Sequence, residues 1–223
     1  MQENYPYKLE LHTHTSPISP CSAISGADLA KEVAAAGYHL LHVTDHLRID
    51  TFNLSAEREA EIDRFLNGYY KAKEVGEKLG LTVLYGAELS LTMLNNEYLL
   101  FGMNREFFRA LDNVFSLRPA ELLSFAHTYG IVVVQAHPFR SYMVRTGPAD
   151  VDGIEGYNLH PNHNSRNEQA MAYAKKYDLI ATSGTDVHHP THVGRGGIRS
   201  KVLPKTEAEL ATLIRSRDYQ LIY

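Results

Sequence analysis

Tryptophan is missing from this 223-residue chain, and cysteine occurs once, at Cys21. A single thiol closes no intrachain disulfide, so no disulfide framework staples the fold, and a reducing, cytoplasmic setting is expected. No apolar run approaches the ~18 residues that cross a bilayer. No charged-then-apolar leader precedes Leu9, so neither a membrane helix nor a signal peptide is predicted. An excess of charge of either sign is small as well. A formal net charge of −4 argues against a broad surface for duplex nucleic acid, while leaving room for a local basic pocket. Neither a Gly-x-Gly-x-x-Gly strand–helix turn nor a P-loop is present. Gly194, Gly196 and Gly197 lack the strand before and the helix after, so no nucleotide cofactor is indicated. With no linker, repeat or low-complexity tract, one domain over 1–223 is expected. A 44% hydrophobic content suffices for a full core.

Short apolar runs alternate with helical patterns. Strands are read at Lys8–Thr13, Tyr38–Thr44, Leu81–Tyr85, Glu97–Phe101, Ile131–Gln135, Gly153–Gly156 and Leu179–Ser183, with a further extended piece at Gly197–Leu203. Between them, Gly26–Ala36 reads as a helix capped by Ser25 and stopped by Gly37. Leu54–Leu79 reads as one long helix ending at Gly80. Pro119–Tyr129, Asn164–Lys176 and Glu207–Ser216 follow, the first with proline in its opening turn and Gly130 past its end. Such alternation predicts an α/β fold with a parallel sheet. Polar candidates fall at the ends of five of these strands. A closed TIM-like barrel of seven strands is therefore expected, because an open sheet gathers ligands mainly at its switch point.

Those strand ends carry metal-ligand chemistry. His12 and His14 sit two apart as the first apolar run finishes, so on a strand they face one side and can grip one ion. His46 follows Val43-Thr44-Asp45, Glu88 closes Tyr85-Gly86-Ala87, His137 closes Val134-Gln135-Ala136, and Asp186 and His188 lie in Gly184-Thr185-Asp186-Val187-His188. A lone histidine is ordinarily a core or surface residue; histidines and carboxylates at five strand ends together are not. Imidazole nitrogen with carboxylate oxygen, and no thiolate, suits zinc, manganese or iron. A carboxylate can bridge two ions, and two ions about 3.5–4 Å apart are the usual clamp for in-line displacement at phosphorus. Cys21 is read as a packed or exposed thiol, with a soft ligand as its other reading. Asp45 is balanced between orienting His46, touching a metal and capping a strand end. His39, His42 and His127 fall away from strand ends and read as packing residues.

The set His12-Thr13-His14, Thr44-Asp45-His46, Gly86-Ala87-Glu88, Ala136-His137-Pro138 and Gly184-Thr185-Asp186-Val187-His188 resembles the PHP (polymerase and histidinol phosphatase) superfamily of metal-dependent phosphoesterases. Ile154-Glu155-Gly156-Tyr157-Asn158 and Gly197 onward to Pro204 share the likeness, which covers nearly the whole chain. The resemblance implies a distorted (β/α)7 barrel with two or three divalent ions at its C-terminal face. It implies His12, His14, Glu88 and Asp186 at one ion, Glu88 bridging to a second held by His137, and His46 with His188 at a third. Two departures stand out. Pro17–Ser22 carries no carboxylate, and Tyr98–Gly102 carries no histidine where the family often has one.

Beyond the ligands, Arg140 and Arg195 lie in loops opening onto that face and are expected to clamp phosphate oxygens. His160 is the preferred donor of a proton to the leaving oxygen, with His163, His189 and His192 on the same face. No Ser-His-Asp arrangement emerges, so water activated by metal is the expected nucleophile, with Asp186, His160, Arg140 and Arg195 as catalytic groups. The expected substrate is a small phosphomonoester or a nucleotide or oligonucleotide end. Two alternatives stay open: an amidohydrolase-like C–N hydrolase, and a non-catalytic metal-binding regulatory domain.

Overall fold

The structure, a computed structural model, describes residues 4–223. Helix ends follow the local caps closely. In α1 (Gly26–Ala35) the Ser25 hydroxyl accepts from the Asp28 N–H, and the chain leaves through Gly37 at φ 76°. The long helix expected over Leu54–Leu79 is instead two, α2 (Arg58–Phe65) and α3 (Asn67–Lys78), parted at the buried Leu66. That turn lays α3 along α1, where Gly68 and Gly26 meet backbone to backbone. The helices α4 (Arg105–Arg109), α5 (Pro119–Thr128), α6 (Asn167–Tyr177) and α7 (Glu207–Ser216) complete the set.

The expected closed barrel of seven parallel strands does not form. Eleven strands occur among the described residues: β1 (Tyr7–Glu10), β2 (Leu40–Val43), β3 (His46–Leu47), β4 (Thr82–Tyr85), β5 (Ala87–Ser90), β6 (Glu97–Phe101), β7 (Val132–Gln135), β8 (Gly153–Asn158), β9 (Ile180–Gly184), β10 (Gly197–Ser200) and β11 (Tyr219–Ile222). They divide into two open sheets, ordered β11-β10-β1-β2-β4 and β3-β5-β6-β7-β8-β9. The division has a local cause. Two chain runs break in step, β2 into β3 at Thr44-Asp45 and β4 into β5 at Gly86. The pair β2–β4 therefore belongs to one sheet and its continuation β3–β5 to the other. Gly86 permits its break because a Cβ there would stand 2.5 Å from the His42 ring and from the Leu100 carbonyl oxygen. Nor is the sheet all parallel: β6 runs antiparallel to both neighbours, and β10 to both of its own.

The two sheets share one apolar interior. Leu9, Leu40 and Leu84 from the first meet Leu99, Val132 and Val134 from the second. Helix α7 closes it with Leu210, Leu213 and Ile214, at the end where β6 finishes at Gly102. A second cluster packs α1, α3 and the Phe52, Phe65 and Phe108 rings against the outside of the strands. The opposite end of the interior, where β6 begins, is left to polar residues.

Candidate metal centre

Most candidate ligands stand just beyond the strands proper, four of them around a single bridge. Past β1, Thr13 pairs with Val187 in a lone bridge. The His14 N–H donates to the Val187 carbonyl (3.0 Å) and the Val187 N–H to the His12 carbonyl (3.2 Å). This sets His12 and His14 beside Asp186 and His188. In the short β3–β5 pairing His46 lies directly opposite Glu88. His137 and Asp186 hold left-handed backbone, with φ of 29° and 60°. Each such non-glycine residue costs about 1–3 kcal/mol that the surroundings must offset, a pattern typical of functional sites.

The side chains converge. Glu88 Oε1 lies 3.0 Å from His137 Nε2 and 3.4 Å from His12 Nε2, while Oε2 lies 2.9 Å from His46 Nδ1 and 3.4 Å from His14 Nε2. Asp186 Oδ1 lies 3.2 Å from His14 Nε2, 3.3 Å from His188 Nδ1 and 3.5 Å from His12 Nε2. Four overlapping groups have donor atoms mutually within 4.8 Å: His12–His14–Asp186, His12–Glu88–His137, His14–His46–His188 and His46–Glu88–Glu97. Structure thus brings together all seven residues expected as ligands, and adds Glu97. Sequence reading missed Glu97 because it stands at the start of its strand. Since β6 runs antiparallel, that start lies at the same end as the finishes of the parallel strands. A carboxylate just ahead of the apolar Tyr98–Phe101 run was the available signal, readable only once the strand's direction is known.

The donor set fits divalent ions on two counts. Glu88 Oε2, Asp186 Oδ1 and His46 Nδ1 are buried and, for all their close approaches, make no well-aligned hydrogen bond among the described residues, although each faces the centre. Such atoms are costly to leave unmatched. In addition, His12 Nε2 and His14 Nε2 face each other at 3.1 Å, a contact between two ring nitrogens that a shared cation or proton must relieve. Burial would push Glu88 and Asp186 up, yet the surrounding imidazoles, His12 foremost, hold both carboxyls well below the usual range. The centre keeps its negative charge.

Around it the remaining candidates take different places. Arg140 is buried. Its Nη2 donates to Asp186 Oδ2 and to Asn158 Oδ1, both at 2.7 Å, its Nε to Ser165 Oγ at 3.2 Å and its Nη1 to the Tyr142 hydroxyl at 3.3 Å. The phosphate clamp expected of it meets a guanidinium already engaged. Arg195 is exposed at the rim, near enough to His192 for its charge to help lower that ring's pKa, after burial and the His188 and His189 charges. His160 is buried beside His163, His188 and His192, with ring centroids 4.5–5.3 Å away. Burial first, and then the neighbouring rings, lower it to about 4 against the pull of Asp186. Cys21 is exposed. Burial of its sulfur would raise the thiol, but hydrogen bonding to His188 and His46 brings it down to about 6. Asp45 accepts from the Thr15 N–H and hydroxyl, both at 2.6 Å, and from Ser19 Oγ at 2.7 Å, so it braces the loop after His14. His42 stacks on Phe101, His39 Nδ1 accepts from the Lys8 N–H, and His127 pairs with Asp152.

Residues 164–219 match the family model of PHP-associated proteins. No curated protein matches the sequence. Among solved structures, the chain is similar to a two-domain protein of Bacteroides vulgatus containing a PHP-like metal-dependent phosphoesterase, so described by prediction. The identity is 14% and the TM-score 0.68, over 97% of this chain and 64% of that one. This chain therefore spans less than two thirds of that protein. It is also similar to a Bifidobacterium adolescentis protein provisionally described as a metal-dependent phosphoesterase (17% identity, TM-score 0.59, 95% and 96% covered). A third likeness is to an amidohydrolase of Chromobacterium violaceum, solved with sulfate and without metal (16% identity, TM-score 0.61, 94% and 96% covered).

Proposed function

We propose that the chain is a PHP-type enzyme, a reading supported by the family match over residues 164–219 and by the likeness of fold, and that it hydrolyses a phosphoester with the help of divalent ions. One observation carries the reading. The two oxygens of Glu88 face different histidines, Oε1 toward His137 and His12 and Oε2 toward His46 and His14, as a bridging carboxylate requires. His12, His14, His46, Glu88, Glu97, His137, Asp186 and His188 would hold two or three ions of zinc, manganese or iron. Such ions supply Lewis-acid polarisation of phosphoryl oxygens and a water-derived nucleophile at neutral pH.

The chain's own groups do the rest. Glu88 and Asp186 stay ionised and keep the cations close. His160 Nδ1 accepts from the Asn162 N–H (3.2 Å), which leaves the ring hydrogen on Nε2, available for a hydrogen bond to the leaving oxygen. Arg195 reaches substrate from the rim, and Arg140 acts through Asp186. No covalent enzyme intermediate is required. The substrate is a small phosphomonoester or a nucleotide or oligonucleotide end, and the lone cysteine supports a cytoplasmic setting. Among the described residues no helix is long and apolar enough to cross a membrane. The likeness to an amidohydrolase supports a second reading, hydrolysis of a C–N bond in the same centre.

Elemental analysis of the purified protein, with phosphomonoesters, 5′- and 3′-phosphorylated oligonucleotides and simple amides assayed with Mn2+ or Zn2+, separates these readings. Phosphate release that chelator abolishes, and that His12→Ala with His14→Ala removes along with bound metal, is expected. Full metal content in the double variant, or turnover of amides alone, refutes the phosphoesterase reading.

A further inference from the structure

Strand β8 brings no residue to the four ligand groups, yet it buries two polar side chains, Glu155 and Asn158, at 1% and 2% exposure. Three residues apart, these would face opposite sides of an even strand. They do not, because β8 carries a bulge. Glu155 is paired with Thr182 and Tyr157 with the very next residue, Ser183, so Gly156 is an extra residue on its strand. A Cβ at Gly156 would lie 2.2 Å from Met171 Sδ, so a larger residue at the extra position would have to displace the Met171 side chain. The bulge restores the inward face, and Glu155 and Asn158 reach the same side.

There they sort the atoms of the ligands. Glu155 Oε1 lies 2.8 Å from His12 Nδ1; a carboxylate only accepts, so that nitrogen carries the hydrogen, and in the neutral ring Nε2 is left bare toward the centre. Glu155 Oε2 accepts from the His137 backbone N–H at 3.0 Å and from Asn158 Nδ2 at 2.9 Å, which ties down the left-handed residue His137. Asn158 Nδ2 also donates to Asp186 Oδ2 at 3.2 Å. Its Oδ1 accepts from Arg140, whose Nη2 bonds the same Asp186 oxygen at 2.7 Å. Asp186 Oδ2 is thereby used up, and Oδ1, buried without a partner, is the oxygen turned inward.

We infer that Glu155 and Asn158, brought to one face by the β8 bulge and joined by Arg140, are positioning residues that select which atom of His12 and Asp186 is presented to the metal centre. The inference rests on reading that centre as a metal site. It adds that the selection exists before any ion arrives, because every contact in it is between protein atoms. Glutamine at 155 cannot reproduce it. A carboxylate serves three donors with two accepting oxygens, whereas an amide has one accepting oxygen and an NH2 that would face a donor.

The test uses the chelator-treated full chain labelled with 15N-histidine, whose long-range 15N–1H correlations report each ring's tautomer. At a pH high enough to leave the ring neutral, wild-type His12 is expected as a single Nδ1–H tautomer. In Glu155→Gln it should become a mixture, with Zn2+ affinity by competition titration weakened about 10–100-fold, the usual effect of removing such a partner. Asn158→Ala should keep the His12 tautomer and still weaken Zn2+ binding about tenfold or more, which separates the two arms and stands in should Glu155→Gln fail to fold. A wild-type His12 ring sampling both tautomers overturns the inference whether or not metal binds. So does wild-type Zn2+ affinity in both variants. If the wild-type protein binds no metal, the proposed function fails, while the tautomer spectra still decide the positioning role.

Discussion

Replacing Glu88 by glutamine removes one negative charge from the carboxylate that approaches His46 to 2.9 Å and His137 to 3.0 Å, and leaves the side-chain volume almost unchanged. Glu88 is fully buried, and its oxygens stand 2.9–3.4 Å from four imidazoles. In the proposed centre a carboxylate there would offset the repulsion between two dications. For unit charges 4 Å apart at an effective dielectric of 20, the interaction is about 4 kcal/mol. Losing it once, for the more weakly held ion, corresponds to roughly a thousandfold in that ion's affinity, at about 1.4 kcal/mol per decade. Glu88→Gln is therefore expected to keep at most one ion per chain after gel filtration and to lose nearly all turnover. The metal-free fold should survive, since the interior is built from Leu9, Leu40, Leu99, Val132 and their neighbours at the other end of the strands. Metals per chain by elemental analysis, with turnover measured on the same sample, is the assay. Two ions retained at near-normal rate would refute the bridging argument and point to a single-metal centre.

Glu97→Gln should weaken only one ion, because Glu97 belongs to a single ligand group with His46 and Glu88; equal loss of every ion would show that Glu97 acts on the fold instead. Arg195→Ala should raise KM for phosphorylated substrates and leave metal content intact, as for a group that touches substrate alone; unchanged kinetics would return it to the solvent-facing surface. Away from the centre, hydrogen bonds from Arg109 and Arg105 hold Glu59 down to about 2. A lowered carboxylate contributes stability above its ordinary pKa, near 4.5, and loses it as pH falls toward 2. Glu59→Gln should accordingly flatten the fall of Tm between pH 5 and 2, and an unchanged acid limb would show the pairing to be inconsequential.

Local signals were legible where neighbours in sequence are neighbours in space. Ser25 with Gly37, Pro119 with Gly130, and the helix from Glu207 to Ser216 could be placed because caps, turns and 3.6-residue periodicity act within a few residues. The ligand residues were legible too, since each interrupts or ends an apolar run with a group that chemistry alone explains. Direction and pairing were not. Nothing within Glu97–Phe101 says that it runs against its neighbours, so the carboxylate at its start stayed hidden while the apolar run behind it was plain. Nothing near Gly86 says that a strand changes sheets there, so one expected barrel became two sheets. Glu155 and Asn158 share a face only because of one extra residue relative to β9, a fact of partner register. Residue type thus told which atoms could bind an ion. Only the long-range pairing of strands, whose partners lie tens of residues apart and carry no local mark, decided which of those atoms meet.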